Sequence, residues 1–283
     1  MMQFTVLDQI TLPGNPAKPN DDALGHCGRA ALVMDGATGL GEPLMPGESD
    51  AAWLAQKGAR LMMGFLSAPI SPRMALNAVL NQIEYSYVMG RKRAPVATYE
   101  KPFASMMLVS ATANGFETLA FGDCAGLVKR PGKKVEVLGV AFEARKQEAE
   151  GVARLAKAKG LNPAGAVNRP EFLEALRKSR NRVNSGESHW LFGPDATAAD
   201  HVQGKTVMAP AGTKVLLSTD GLLALATDYG RYDAETFMDA AQTKGLAALG
   251  EELRSIEAND PEGVAFPRFK SSDDATGLLL ELG

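Results

Sequence analysis

The sequence predicts an α+β fold of four layers, α-β-β-α, in which two antiparallel sheets pack face to face and helices flank them on the outside. Two observations carry this. About ten short apolar or alternating runs are separated by Gly, Pro and Asn turn signals. Stretches of helical period fall in pairs, two after the second strand and two before the last. Length and composition agree, since 283 residues with 45% hydrophobic content can bury a full core as one domain over 1–283.

Taken in order, residues 3–8 read as a short strand, and a Pro- and Gly-rich loop over 13–19 ends in Asn20-Asp21-Asp22-Ala23. Residues 28–34 are almost continuously apolar, as a strand covered on both faces requires. Helical spacing follows. Ser49 is placed to cap a segment carrying Leu54, Ala55, Leu61, Met62 and Phe65, and Ser71-Pro72 opens a second helix with Pro at the tolerated first position. The stripe Leu76, Val79, Leu80, Ile83 and Tyr87 is expected to face the core. Residues 103–112 and 116–121 read as strands joined through Asn114-Gly115. Strands 127–129 and 134–138 are joined by Arg130-Pro131-Gly132-Lys133, with Pro and Gly where a type II turn wants them.

A polar, charged stretch then interrupts the strand series, with helical spacing over 142–159 and 170–180. Strand character returns at 190–192, 206–208 and 213–217. Two helices are expected at 233–241 and 246–256 with Gly245 between them, and the chain closes on a strand over 276–282.

Charge excludes some partners. With 30 basic and 33 acidic residues the formal net charge is −3, so no global field favours nucleic acid or acidic membranes. The basic clusters at 91–93 and 129–134 are expected to be solvated helix ends or turns. Two cysteines, Cys27 and Cys124, sit at or beside apolar runs and suit reduced thiols in a cytoplasmic protein. No apolar run approaches membrane-spanning length, and the first residues lack the pattern of a secretory signal.

The chemistry lies at junctions between apolar runs and acids. Met34-Asp35-Gly36 ends the second strand, and related junctions recur at Asp21-Asp22, Gly122-Asp123, Thr219-Asp220-Gly221 and Asp273-Asp274. A strand end followed by glycine delivers a carboxylate where the backbone can bend around a ligand. The bland alternative for any one of them is an Asp-Gly turn. Five together suit a shared all-oxygen site for hard divalent ions, because the three histidines, His26, His189 and His201, have no zinc-like spacing.

In this order the five motifs resemble those of the metal-dependent type 2C (PPM) serine/threonine protein phosphatases, over nearly the whole chain. The resemblance implies that Asp35 bridges two Mn or Mg ions with the Gly36 carbonyl joining one of them. Asp220 and Asp273 would hold the first ion, Asp21 and Asp22 the second, and Asp123 a weaker third. Asp274 would support these ligands from behind. The implied reaction is in-line attack by a metal-bound water or hydroxide on a phosphomonoester, with phosphoserine or phosphothreonine in a protein as substrate. A monomer is the expected form. Asp35, Asp22 and Lys18 are then the expected catalytic residues.

Two departures qualify the match. The family's phosphate-binding arginine falls at Ala17, with Lys18 the nearest cation, and the histidine many members carry after Asp-Gly is Ala37. Lysine binds phosphate as a point charge, without the two-pronged geometry of arginine. The segment 142–201 lies where the family carries a flap. Within it Asn184, Gly186, His189 and Trp190 are candidates to face the cleft, the alternative being Trp190 in the core and His189 in a solvated loop.

Three rival readings remain. Cys124 and Arg130 have the Cys-x5-Arg spacing of cysteine-dependent phosphatases, but that signature needs a phosphate loop leading into a helix, and here a strand enters a turn. No Gly-x-Ser-x-Gly elbow marks a serine hydrolase. The third is a phosphatase-like fold that binds metal or a partner without turnover.

Overall fold

The computed structural model describes residues 2–142, 170–266, 268 and 270–283. Its centre is formed by two apolar strands, β3 (Ala30–Gly36) and β4 (Ala104–Ala111), buried along nearly their whole length. They pair antiparallel, and β2 (Asp22–His26), β5 (Gly115–Phe121) and β8 (Gln203–Met208) complete a five-stranded sheet in the order β2-β3-β4-β5-β8. The second sheet runs β1 (Phe4–Leu12), β10 (Ala275–Leu282), β9 (Thr213–Ser218), β6 (Ala125–Lys129) and β7 (Glu136–Leu138). Both sheets are antiparallel throughout.

Alternation along each strand decides what meets what. Ala30, Leu32 and Met34 of β3 point outward and pack under α1 (Asp50–Leu66) and α2 (Pro72–Gly90). Ala31 and Val33 point inward, against Val215, Leu217, Leu278 and Leu280 of the other sheet. Each such fully buried Val or Leu side chain contributes about 1.5–3 kcal/mol. The outer face of the second sheet is covered by α4 (Asp220–Thr227), α5 (Ala234–Thr243) and α6 (Leu246–Asn259), with Phe237, Leu246, Leu249 and Leu253 in that layer. The four layers follow the order expected. A further helix, α3 (Pro170–Arg180), belongs to the segment between β7 and β8.

Local signals behave as the residues require. Ser49 and Ser71 cap α1 and α2 through their hydroxyls, and Pro72 starts α2. The 130–133 turn closes with Lys133 N donating to Arg130 O at 3.1 Å and Gly132 at φ +67°, as type II geometry demands. Three expectations need correction. A strand β2 forms at the first acidic pair, where only a loop was expected. Residues 190–192 make a single bridge, Phe192 with Ala104, rather than a strand. A helix, α4, begins at Asp220 instead of a simple stop. Of the expected helix over 142–159, all but its first residue lies outside the described residues, as does the 143–169 part of the proposed 142–201 flap. No helix among the described residues is long and apolar enough to cross a membrane.

Candidate metal centre

At one end of the sandwich the inward-facing row changes from apolar to acidic. Asp22, Asp35 and Ser105 are direct neighbours across β2, β3 and β4, and all three continue the face that buries Val33 and Val109. Ser105 Oγ donates to Asp123 Oδ1 at 2.6 Å. Asp123 follows Gly122, which takes φ +65° where the chain leaves one sheet for the other. A Cβ on Gly122 would lie 2.2 Å from Ser105 Oγ, so a side chain there would displace the bond that orients Asp123.

From the opposite sheet come Thr219, Asp220 and Asp273. Thr219 Oγ1 donates to Asp22 Oδ2 at 2.7 Å and accepts from Thr276 N at 2.9 Å, tying the two sheets together at the site. Asp220 is the first residue of α4, where the helix dipole favours negative charge. Asp273 Oδ1 is 2.6 Å from Lys270 Nζ. Behind them, Asp274 accepts from Gly14 N at 2.6 Å and from Asp21 N at 2.7 Å, clamping the 13–21 loop. Ser49 Oγ, which caps α1, also donates to Asp21 Oδ1.

A cavity of about 870 Å³ opens over this end and is lined by Asp35, Gly36, Asp123, Asp220 and Asp273. Asp22 is buried beside Asp35, and Asp21 stands at the start of α1; neither lines the cavity. Lys18 lies on the exposed 13–19 loop and does not line it either. The cations that do are Arg180, Arg268 and Lys270. From the intervening segment, His189 and Trp190 line the wall, and the Trp190 ring stacks on His201 with centroids 3.6 Å apart while also packing against the α1/α2 core layer. Gly186 does not line the cavity, and Asn184 bonds in both directions to the Leu191 backbone instead.

Sequence reading missed Arg180. It sits in the charged run Arg177-Lys178-Ser179-Arg180, which looks like a solvated helix end. Only the fold of the segment turns it toward Asp35.

Electrostatics identify what the centre lacks. Burial, reinforced by Asp220, Asp22, Asp123 and Asp273, pushes the Asp35 carboxyl well above the usual range. Asp22 is raised for the same reasons, burial first, with Thr219 opposing. Among the described residues no group donates a hydrogen bond to the Asp35 carboxylate. Burial works against the Lys270 ammonium, yet Asp273, Asp35 and Asp220 hold it charged well above the usual lysine range. The donor set, carboxylates and a backbone carbonyl without His or Cys, fits a hard divalent ion. Among the described residues no three such side chains close into a shell around an ion.

The cysteine alternative fails on geometry. Cys124 is buried, burial raises its thiol, and Arg130 is engaged by Glu136 and the Met208 carbonyl.

No family model matches the sequence, and no curated protein matches it. Solved structures do. The serine/threonine phosphatase PstP/Ppp of Mycobacterium tuberculosis matches with a TM-score of 0.57 at 14% identity, over 99% of this chain and 98% of that one. The catalytic domain of PstP in complex with two manganese ions matches at 0.54 and 14%, over 100% and 99%. The PPM Ser-Thr phosphatase MsPP of Mycobacterium smegmatis, in complex with cacodylate, matches at 0.56 and 19%, over 99% and 100%. At these identities the likeness establishes the fold, which is that of the type 2C (PPM) phosphatases.

Proposed function

We propose that the chain is a metal-dependent phosphomonoester hydrolase acting on phosphoserine or phosphothreonine in proteins. One observation carries it most: Asp35, buried and with no hydrogen-bond donor among the described residues, stands among four further carboxylates beside a cavity of about 870 Å³. Clustered acids of this kind oppose folding unless a cation neutralises them. The neighbour crystallised with two manganese ions supports that cation being a pair of divalent metals.

Asp35, Asp220 and Asp273 would hold the first ion, Asp22 and Asp21 the second, Asp123 a weaker third, and the Gly36 carbonyl would complete the set. Two Mn or Mg ions there supply charge over the phosphoryl group and make water a competent nucleophile at neutral pH. The rest is positioning by the chain. Thr219 fixes one oxygen of Asp22, Ser105 fixes one of Asp123, and Asp274 with Ser49 holds the 13–21 loop and Asp21 in place. The wall built by Trp190 and His201 gives the rest of a phosphoprotein substrate an aromatic surface to lie on.

The Lys270–Asp273 ion pair favours a second reading, a phosphatase-like sensor whose acids are partly neutralised by its own ammonium. Hydrolysis of a phosphothreonine peptide and an aryl phosphate, with Mn, with Mg and with chelator, decides between them. Metal-dependent turnover lost in Asp220→Asn is expected. Metal binding without turnover would favour the sensor.

A further inference from the structure

We propose that Arg180, the last residue of α3, grips the phosphoryl group of the substrate, in place of the arginine that the sequence lacks upstream of Asp21. This rests on the hydrolase reading and adds to it the group that binds the phosphate.

The cations around the cavity are not equivalent. Arg268 is committed to Asp260 and to the Asp260, Phe266 and Ser271 carbonyls. Lys270 is committed to Asp273. Lys18 is outside the cavity. Arg180 is the least committed of those that line the cavity: among the described residues, one of its five N–H groups makes a bond, at 3.5 Å to the Thr38 carbonyl. It forms no ion pair among the described residues, although Asp35 is the carboxylate whose charge acts on it. Burial pulls its pKa down to about 10, which still leaves it charged at neutral pH. A guanidinium held in a cavity wall with most of its donors idle and an acidic centre opposite is arranged for an anion that arrives between them.

The residue is also held ready. One turn earlier, Arg177 Nε donates to the Leu40 carbonyl at 2.9 Å and its guanidinium covers the Tyr99 ring at 4.7 Å. One residue later, Asn181 Oδ1 accepts from Tyr99 N at 2.8 Å. Val183 then buries against Phe103 and Leu191. Anchors on both sides fix where the Arg180 fork starts, so little freedom is lost when it meets phosphate. The ligand class is a phosphate monoester dianion, whose non-bridging oxygens match a two-pronged donor.

The test uses inorganic phosphate as the probe, its affinity for the Mn-saturated protein measured by calorimetry on wild type, Arg180→Ala, Arg180→Lys and Arg182→Ala, with Mn affinity measured on each. Arg182 is an exposed neighbour paired with Glu187 and away from the cavity. Arg180→Ala should weaken phosphate binding about tenfold or more, Arg180→Lys by less, and Arg182→Ala not at all, with Mn affinity unchanged throughout. Should the alanine variant fail to fold, the lysine variant decides, because it keeps the charge and removes only the fork. Wild-type phosphate affinity in Arg180→Ala, or parallel loss of Mn and phosphate, would overturn the assignment. Turnover of a phosphothreonine peptide by wild type judges the hydrolase reading separately. An active enzyme indifferent to Arg180→Ala sinks only Arg180, and phosphate bound through Arg180 without turnover sinks only the hydrolase.

Discussion

Asp22 and Asp35 stand directly opposite one another across β2 and β3, on the face where the two sheets meet. Like charges so placed oppose folding by about 0.2–1 kcal/mol when exposed, and by more when water is excluded. Asp35→Asn should therefore raise the melting temperature of the metal-free protein, by about 2–4 °C per kcal/mol relieved. The same variant should lose turnover and the Mn-dependent rise in melting temperature. A metal-free variant that melts below wild type would show that the pair is not under repulsion.

Stability should also depend on pH in a defined direction. The Asp22 and Asp35 carboxyls are raised well above 3.8, so between that value and their folded-state values the native chain holds protons that the unfolded chain has released. Their contribution is thus present at low pH and is lost as pH rises through the folded-state values. Metal competes for the same oxygens and takes over as the protons leave. Melts at about pH 5 and about pH 7.5 should show a larger Mn-induced gain at the higher pH; an equal or smaller gain there would contradict the shared site.

Lys270 lines the cavity with its ammonium 2.6 Å from Asp273. Replacing it with methionine leaves that carboxylate facing its acidic neighbours alone. Lys270→Met should lower the melting temperature of the metal-free protein and tighten Mn binding severalfold, since an incoming ion no longer displaces an ammonium. Calorimetric titration with Mn reads both the sign and the size, and weaker binding would mean that Lys270 helps to build the site.

Asp274 holds the amides of Gly14 and Asp21 through its two oxygens. Each bond to an ionised acceptor is worth about 1.5–3 kcal/mol. Asp274→Ala should accordingly raise hydrogen exchange at those two amides about tenfold or more, with weakened Mn binding as the consequence at Asp21. Unchanged exchange would place the anchoring of the loop elsewhere.

Much of the architecture is legible because its signals are local. The serine caps of α1 and α2, the Pro-Gly turn at 131–132 and the doubly covered run of β3 each depend on residues near in sequence. What was missed depends on distant ones. In α4 seven of the eight residues after Thr219 are Gly, Ala, Leu or Thr, so with no charged residue past Asp220 no stripe exists to reveal a helical period. The β2 strand is five residues of mixed polarity with a glycine inside, and only its pairing with β3 makes it a strand. The acids were readable because each group of them stands at a junction with an apolar run. Arg180 was not, because its position in the cavity is set by contacts of its neighbours with Leu40, Tyr99 and Phe103, far away along the chain.

The inward row of β3, Ala31, Val33 and Asp35, makes the centre a matter of parity. Adding or removing one residue between Val33 and Asp35 would leave the strand as apolar as before and its hydrogen bonds available, yet it would turn the carboxylate outward beneath α1. Side chains along β3 can therefore be exchanged with graded cost, whereas a change of odd length has no graded form. It preserves a sandwich and erases its chemistry in a single step.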